Sequence, residues 1–342
     1  MGNKILNLIV VILCAGIFLS FFIFNKSSSS LATIVSKLDM HWIIIALIFM
    51  LIFWLLESII LHIITTIIHK SKNLFTKSIK FAMIGQFWGS ITPFASGSQP
   101  AQFYAMTEYG IPGASASSIL MIKFIVHQTV FTIYSILVVL LKFNYFRGNI
   151  KYFTYFWVVG FTFNTLIIIV ACSFLINHNL TEKVLHIIIS LLGKVKIIKN
   201  PEKRFKKIQE GLVNFHKNSS IIWNNKIVCL NACILTFIQW TIYYSIPYCV
   251  YRSFGFNSAN IFTMISAQVF LTIIMSCIPL PGGEGGAEGG FFLIFKLFFP
   301  QKMILSAILI WRILSYYSCI LSGSLFSMLS SKNDKDNATS SS

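Results

Sequence analysis

The stretch Pro279-Leu280-Pro281-Gly282-Gly283-Glu284-Gly285-Gly286-Ala287-Glu288-Gly289-Gly290 decides how the rest of this 342-residue chain is read. It lies between two strongly apolar runs, residues 261–278 and 291–299. Proline removes a backbone donor and glycine adds chain entropy, so two prolines and six glycines packed this closely rule out a continuous helix. Broken backbone within a membrane-like hydrophobic region survives only where protein buries it or water reaches it. A carboxylate at the bilayer centre costs about 2.5–3.5 kcal/mol on insertion scales, which makes Glu284 and Glu288 functional candidates by default.

Outward from this stretch, the whole chain has membrane character. Its mean hydropathy is +0.77. It is 56% hydrophobic and 11% charged, where a soluble domain carries about 25% charged residues. Runs of about 20 apolar residues, enough to span the hydrocarbon core, occupy residues 5–24, 42–65, 115–141, 153–176, 226–250 and 303–329. The first is too long for the apolar core of a signal peptide and is expected to be the first transmembrane helix. Two further apolar regions, about 79–108 and 261–299, are interrupted by Pro, Gly and Ser near their middles. The expected fold class is therefore an all-α polytopic membrane protein, with about six full transmembrane helices plus two broken, re-entrant segments in an inverted repeat. One membrane domain is expected over 1–329, followed by a disordered polar tail, 330–342.

The net charge of +17 comes mostly from lysines between the apolar runs. Their placement fits topology signals and contacts with anionic lipid better than nucleic acid. Lys70, Lys72, Lys77 and Lys80, and the basic connection at 177–225, are expected to be cytoplasmic, which puts both termini inside a multi-pass cell-membrane protein. The broken segments then enter from opposite faces, as inverted repeats do. Lys142, Arg147 and Lys151 run against this orientation. Within the basic connection, helical apolar spacing at Leu180, Val184, Leu185, Ile188, Leu191, Leu192 and Val195 predicts a helix lying in the interface. Asn200-Pro201-Glu202 predicts the start of a second, with Phe205, Ile208, Leu212 and Phe215 as its apolar stripe. Together they occupy about 179–218.

Several chemistries lack their signatures. After Gly283 and Gly285, the third glycine of a GxGxxG is replaced by Glu288, and no phosphate-loop motif occurs. Seven cysteines, Cys14, Cys172, Cys229, Cys233, Cys249, Cys277 and Cys319, lie in or beside apolar runs without CxxC spacing. No HExxH pattern occurs, so neither a metal nor a cofactor is expected.

The first break holds Gln86, Trp88, Thr92, Pro93, Ser96, Gly97, Ser98, Gln99, Pro100 and Gln102. A helix starting near Pro100 would present backbone N–H groups suited to a phosphate. Glu284 and Glu288 sit just before or within the first turn of the following helix. They either cap it or receive a headgroup cation or a proton. Lys123 and His127 share a helix face, with Gln128 adjacent. Lys123 either snorkels or lines the translocation path. Arg312 is deep in its run and is expected to pair with Glu284, Glu288, Glu57 or a substrate phosphate. Glu57 and His62 form either a relay or a polar contact between helices.

Thr92-Pro93 with Gly97, Gln99-Pro100 and Gln102, then the Pro281-Gly282-Gly283-Glu284-Gly285 run with Glu288, then Arg312 with Tyr316 and Tyr317, together resemble the flippase-like membrane family. That family is named for the transmembrane region of bacterial lysylphosphatidylglycerol synthase, the multiple peptide resistance factor. The resemblance covers nearly the whole chain, and the Pro-x-Pro-Gly-Gly-x-Gly-x-x-Glu pattern is its most specific part. It implies a bundle with re-entrant helices and, in the resistance factor, movement of aminoacylated phosphatidylglycerol between leaflets, which protects against cationic peptides. Carried over, it places Pro281, Gly282, Gly283, Gly285, Glu288 and Arg312 on the family pattern. Ser98, Gln99 and Gln102 depart from it where relatives carry glycine or charged residues.

The soluble aminoacyl-transfer domain of the full enzyme is absent from the sequence, so the chain is expected to be a lipid translocase and not itself an enzyme. Expected partners are membrane lipids with anionic or modified headgroups, with a separately encoded lipid-modifying enzyme and a second copy of the chain as further candidates. A membrane-embedded lipid-modifying enzyme and a small-solute or ion transporter are the alternative functions.

Overall fold

A computed structural model describes residues 36–194, 200–278 and 280–327. The expected first span at 5–24, Val195, Pro279 and the polar tail at 330–342 lie outside the described residues. Everything described is helix or the turns joining helices, apart from one isolated β-bridge.

Among the described residues, five stretches are long and apolar enough to cross a membrane: Met40–Ile68, Gly113–Asn149, Phe153–Ile176, Lys226–Ser253 and Ile304–Ser327. They match the expected runs to within a turn or two. We number the helices α1 (Met40–Ile68), α2 (Leu74–Ile91), α3 (Ser98–Glu108), α4 (Gly113–Asn149), α5 (Phe153–Ile176), α6 (His178–Lys194), α7 (Pro201–Asn224), α8 (Lys226–Tyr244), α9 (Ile246–Ser253), α10 (Ile261–Ser276), α11 (Gly286–Phe295) and α12 (Ile304–Arg312). After Arg312 a π-helical turn, Ile313–Tyr317, carries the last span onward. Short polar side chains start several of these helices. Asp39 caps α1 through His41 N–H at 3.0 Å, and Asn260 caps α10 through Phe262 N–H at 2.8 Å. Pro247 lies in the first turn of α9 and separates it from α8, since its ring cannot sit in a helix interior.

The two broken segments repeat one another. A constant shift that takes Pro93 to Pro281 takes the start of α3, Ser98, to the start of α11, Gly286. The same shift superposes α2 on α10 and α1 on α8 with α9, each to within about a turn, and brings the start of α4 to within a turn of the start of the last span. Between the two four-element units lies α5, a single additional span. If each hairpin returns to the face it entered, one span between the two units inverts the second relative to the first.

Lipid tails are as apolar as leucine, so packing rather than water exclusion holds such helices together. Small residues provide the close approaches: a Cβ at Gly160 of α5 would collide with Ile273 of α10. The largest core is aromatic, joining Phe146, Phe153, Phe270, Phe291, Phe295 and Trp311 from α4, α5, α10, α11 and α12. Burial separates centre from edge: 72% of an apolar 18-residue window of the final span is buried against 17% of that of α5. Accordingly Leu166, Ile169 and Ile176 of α5 remain exposed, the pattern of a lipid-facing surface.

The basic connection forms the two expected helices, but α7 runs to Asn224, well beyond the predicted stripe. Leu212 and Phe215 of that stripe are buried, and Ser118 of α4 donates to Phe215 O at 2.9 Å. Asn200 makes no side-chain cap, because its left-handed φ of 57° turns the side chain away from the helix start. On α6, Leu180, Ile188 and Leu191 are exposed, Val184 and Leu185 are half-buried and Ile189 is buried, so part of the expected stripe faces outward.

Candidate functional site

Both breaks adopt the same turn. In the first, Phe94 and Ala95 have φ of 53° and 54°; in the second, Gly282 and Gly283 have 59° and 63°. Ala95 N–H donates to Thr92 O and Ser96 N–H to Pro93 O, at 3.2 and 3.0 Å; Gly283 N–H donates to Leu280 O and Glu284 N–H to Pro281 O, at 2.9 and 3.1 Å. The second turn uses glycine, which visits this region freely. The first holds two side-chain-bearing residues there at a cost of about 1–2 kcal/mol each. Thr92 supports it, its Oγ1 accepting from Gly97 N–H at 2.8 Å and donating to Trp88 O at 2.6 Å. The turns touch through an antiparallel bridge between Pro93 and Pro281. The two breaks therefore meet, as the inverted-repeat reading requires.

Beside this junction lies a cavity of about 610 Å³ bounded by α1, α2, α3, α4, α5, α8, α10 and the last span. Of the expected site residues, Ser98, Gln99, Gln102, Lys123, Gly282, Gly283 and Arg312 line it. Thr92, Pro93, Gly97, Pro281, Glu284, Gly285 and Glu288 do not; they form the turns and helix starts behind the wall.

Arg312 is 4% exposed. Its Nε donates to Glu288 Oε1 at 2.6 Å and its Nη1 to Gly282 O at 3.0 Å. Its guanidinium lies over the rings of Trp311 and Tyr316. Its Nη2 is buried and has no hydrogen-bond partner among the described residues. Glu288 has two jobs, because its other oxygen accepts from Gly285 N–H at 2.6 Å and closes the start of α11. Capping and charge pairing are thus both true of Glu288. Glu284 stands one residue before the cap, partly buried, with no side-chain hydrogen bond among the described residues.

A second charged cluster faces the same space. Lys123 does not snorkel: it is 7% exposed and pairs directly with Glu57, with Gln102 Oε1 at 3.3 Å. Gln239 of α8 donates to the other Glu57 oxygen at 3.0 Å, and His127 Nε2 lies 3.4 Å from it. Glu57 is thus tied to Lys123 and His127, whereas His62 packs edge-on to Phe75 and its Nδ1 has no hydrogen-bond partner among the described residues. Of the two expectations for Glu57 and His62, Glu57 makes the polar contact between helices and the relay does not form, because the two side chains leave α1 on different faces. Gln102 fits because Gly85 leaves room for its amide, which any Cβ there would strike.

In each repeat, the helix after the break presents a polar side chain to a cation on the next helix: Gln102 to Lys123, Glu288 to Arg312. The neutral partner in the first repeat leaves Lys123 to find its counter-charge on α1.

Sequence reasoning missed Asn164 and Gln239. Asn164, on α5, accepts from Gln128 at 2.7 Å and donates to Ser276 Oγ at 3.1 Å, tying α5 to both repeats at the cavity wall. An amide in the middle of an otherwise apolar run was the available signal. Among the described residues, no group of three or more His, Cys, Asp or Glu could hold a metal.

The model of the lysylphosphatidylglycerol synthase TM region matches residues 5–323. The chain belongs to that family. It is also 20% identical over 327 residues to a UPF0104 membrane protein of Archaeoglobus fulgidus, covering 93% of this chain and 96% of the relative. No solved structure matches. Family membership together with the five long apolar helices makes this a multi-pass membrane protein.

Proposed function

We propose that the chain is a lipid translocase that passes a phosphate-bearing headgroup between leaflets through the cavity while the acyl tails remain in the bilayer. The observation that carries this reading is Arg312: a buried guanidinium on the wall of a 610 Å³ cavity, held from behind by Glu288 and Gly282, with one nitrogen left over. A donor buried without a partner costs about 1–3 kcal/mol, and a phosphate oxygen would recover that. The volume suits the reading, since sites for small ligands run to about 300–1,000 Å³. Lys123 supplies a second cation, and the turns at Pro93 and Pro281 are the hinges.

In this reading the hairpins α2–α3 and α10–α11 are re-entrant from opposite faces, both termini are cytoplasmic, and α6 and α7 lie on the cytoplasmic surface. The chain moves lipid and does not modify it. The test is leaflet exchange of fluorescent phosphatidylglycerol in proteoliposomes, read by dithionite quenching. Exchange should fall at least about tenfold in Arg312→Ala, the equivalent of one lost charge-assisted hydrogen bond. Unchanged exchange in Arg312→Ala and Lys123→Ala would refute the assignment.

A further inference from the structure

The cavity wall carries five carboxamides, Gln86, Gln99, Gln102, Gln128 and Asn164, drawn from α2, α3, α4 and α5. Gln86 and Gln99 are partly buried, and their side chains make no hydrogen bond among the described residues. Each such group offers two donors and an acceptor without net charge. A hydroxyl, itself both donor and acceptor, is the natural complement. Trp240 and Tyr243 of α8 and Phe124 of α4 line the same space and provide flat apolar faces for the carbon skeleton between hydroxyls.

The charges point the same way. Among the described residues, Glu57 is the one carboxylate on the wall. It is already paired with Lys123, bonded by Gln239 and close to His127. Glu288 holds Arg312 from behind, and Glu284 is not on the wall. A headgroup ammonium would find no unpaired carboxylate and would sit near Lys123 and Arg312, an arrangement that like charges oppose. Arg312 can still take a phosphate oxygen.

We infer that the translocated headgroup is an uncharged, hydroxyl-rich group, a sugar or polyol, esterified to phosphate, and not an aminoacylated one. This rests on the lipid-translocase reading and narrows its substrate. The chemistry is shared by glycerophospholipids with a polyol headgroup and by polyprenyl-phosphate sugars, so the probes must separate these sources.

The test is titration of the purified full chain in neutral detergent, followed by intrinsic fluorescence, since Trp240 and Trp311 line the cavity. The probes are dioctanoyl phosphatidylinositol, farnesyl phosphoryl-glucose, dioctanoyl lysyl-phosphatidylglycerol and tail-less glucose 1-phosphate. At least one hydroxyl-rich lipid should bind about tenfold or more tighter than the lysyl lipid, and the tighter of the two identifies the anchor. Gln99→Leu and Gln86→Leu, on different helices, should each weaken that probe about tenfold and leave the lysyl lipid unaffected, which separates recognition from misfolding. Glucose 1-phosphate binding as tightly as the lipids would support the headgroup chemistry but assign its source to a solute. Equal or tighter binding of the lysyl lipid, or no effect of both Gln variants, overturns the inference. If leaflet exchange proceeds without preference for the hydroxyl-rich lipids, this inference alone falls; if no lipid binds and none is exchanged, the translocase reading falls with it.

Discussion

The Glu57–Lys123 pair provides a sharp test of the charged architecture. The two side chains are 6% and 9% exposed. Removing one partner of such a pair strands the other charge and costs about 3–5 kcal/mol. Glu57→Gln should be the harsher single change, because Lys123 would lose its counter-charge and keep only neutral amide oxygens, that of the substituted side chain and that of Gln102 at 3.3 Å. Lys123→Met leaves Glu57 with Gln239 at 3.0 Å and His127 at 3.4 Å, so it should cost less. At about 2 °C per kcal/mol for a chain of this size, Glu57→Gln should melt about 6–10 °C below the parent. The double variant Glu57→Gln with Lys123→Met removes both charges and both desolvation penalties, and should recover to within about 1–2 kcal/mol of the parent. The coupling between the two sites is then at least about 2 kcal/mol. The measurement is thermal unfolding in neutral detergent by tryptophan fluorescence at one heating rate, because membrane-protein melting is seldom reversible. A double variant that melts below Glu57→Gln would refute the pairing and the account of the cavity built on it.

Two further predictions address the turns and the surface. Gly283→Ala places a Cβ at φ 63°, 3.3 Å from the movable end of Met275, so backbone strain sets the cost at about 1–2 kcal/mol. Ala95→Gly, at the matching position with φ 54°, relieves similar strain less the entropy of glycine, for a net gain of about 0–1 kcal/mol. Melting shifts of the same sign for both would show that the turns are not equivalent. At the surface, His216 of α7 is bonded to Leu175 O at 3.0 Å, and partial burial holds its pKa below the ordinary histidine value of 6.5. The unfolded segment therefore binds a proton that the folded one resists, so local stability is full above that value and declines as pH falls below it. Protection factors at 209–220, that is exchange rates divided by the intrinsic rate at each pH, should fall between pH 7.5 and 5.5, and His216→Gln should remove that fall; its persistence in the variant would count against the assignment.

The spans and both breaks were legible because membrane insertion imposes long apolar runs, and proline and glycine cannot continue a helix. Their boundaries follow: α5 begins at Phe153 and ends at Ile176 as its composition requires. The glycines at 282 and 283 marked a break in the helix, whereas the matching Phe94 and Ala95 offered no glycine at all, and only the repeated left-handed turn reveals their equivalence. Arg312 was legible as a buried cation needing an anion, but three glutamates and a substrate phosphate were candidates. Lys123 was ambiguous for the same reason, since a long side chain can reach the interface or a partner and composition does not distinguish them.

By itself, then, the sequence determined the architecture of this protein: how many apolar helices it forms, where two of them break, and which residues carry charge into the bilayer. These follow from local physics, the hydrogen-bonding demands of backbone in lipid and the conformational limits of proline and glycine. The tertiary structure decided the partners. It brought Pro93 to Pro281, gave Glu288 to Arg312 and Glu57 to Lys123, and set five amides around one cavity. A buried charge or amide must be satisfied, but sequence spacing does not say by whom when the partner lies on another helix, because helix packing and not chain order brings the two together.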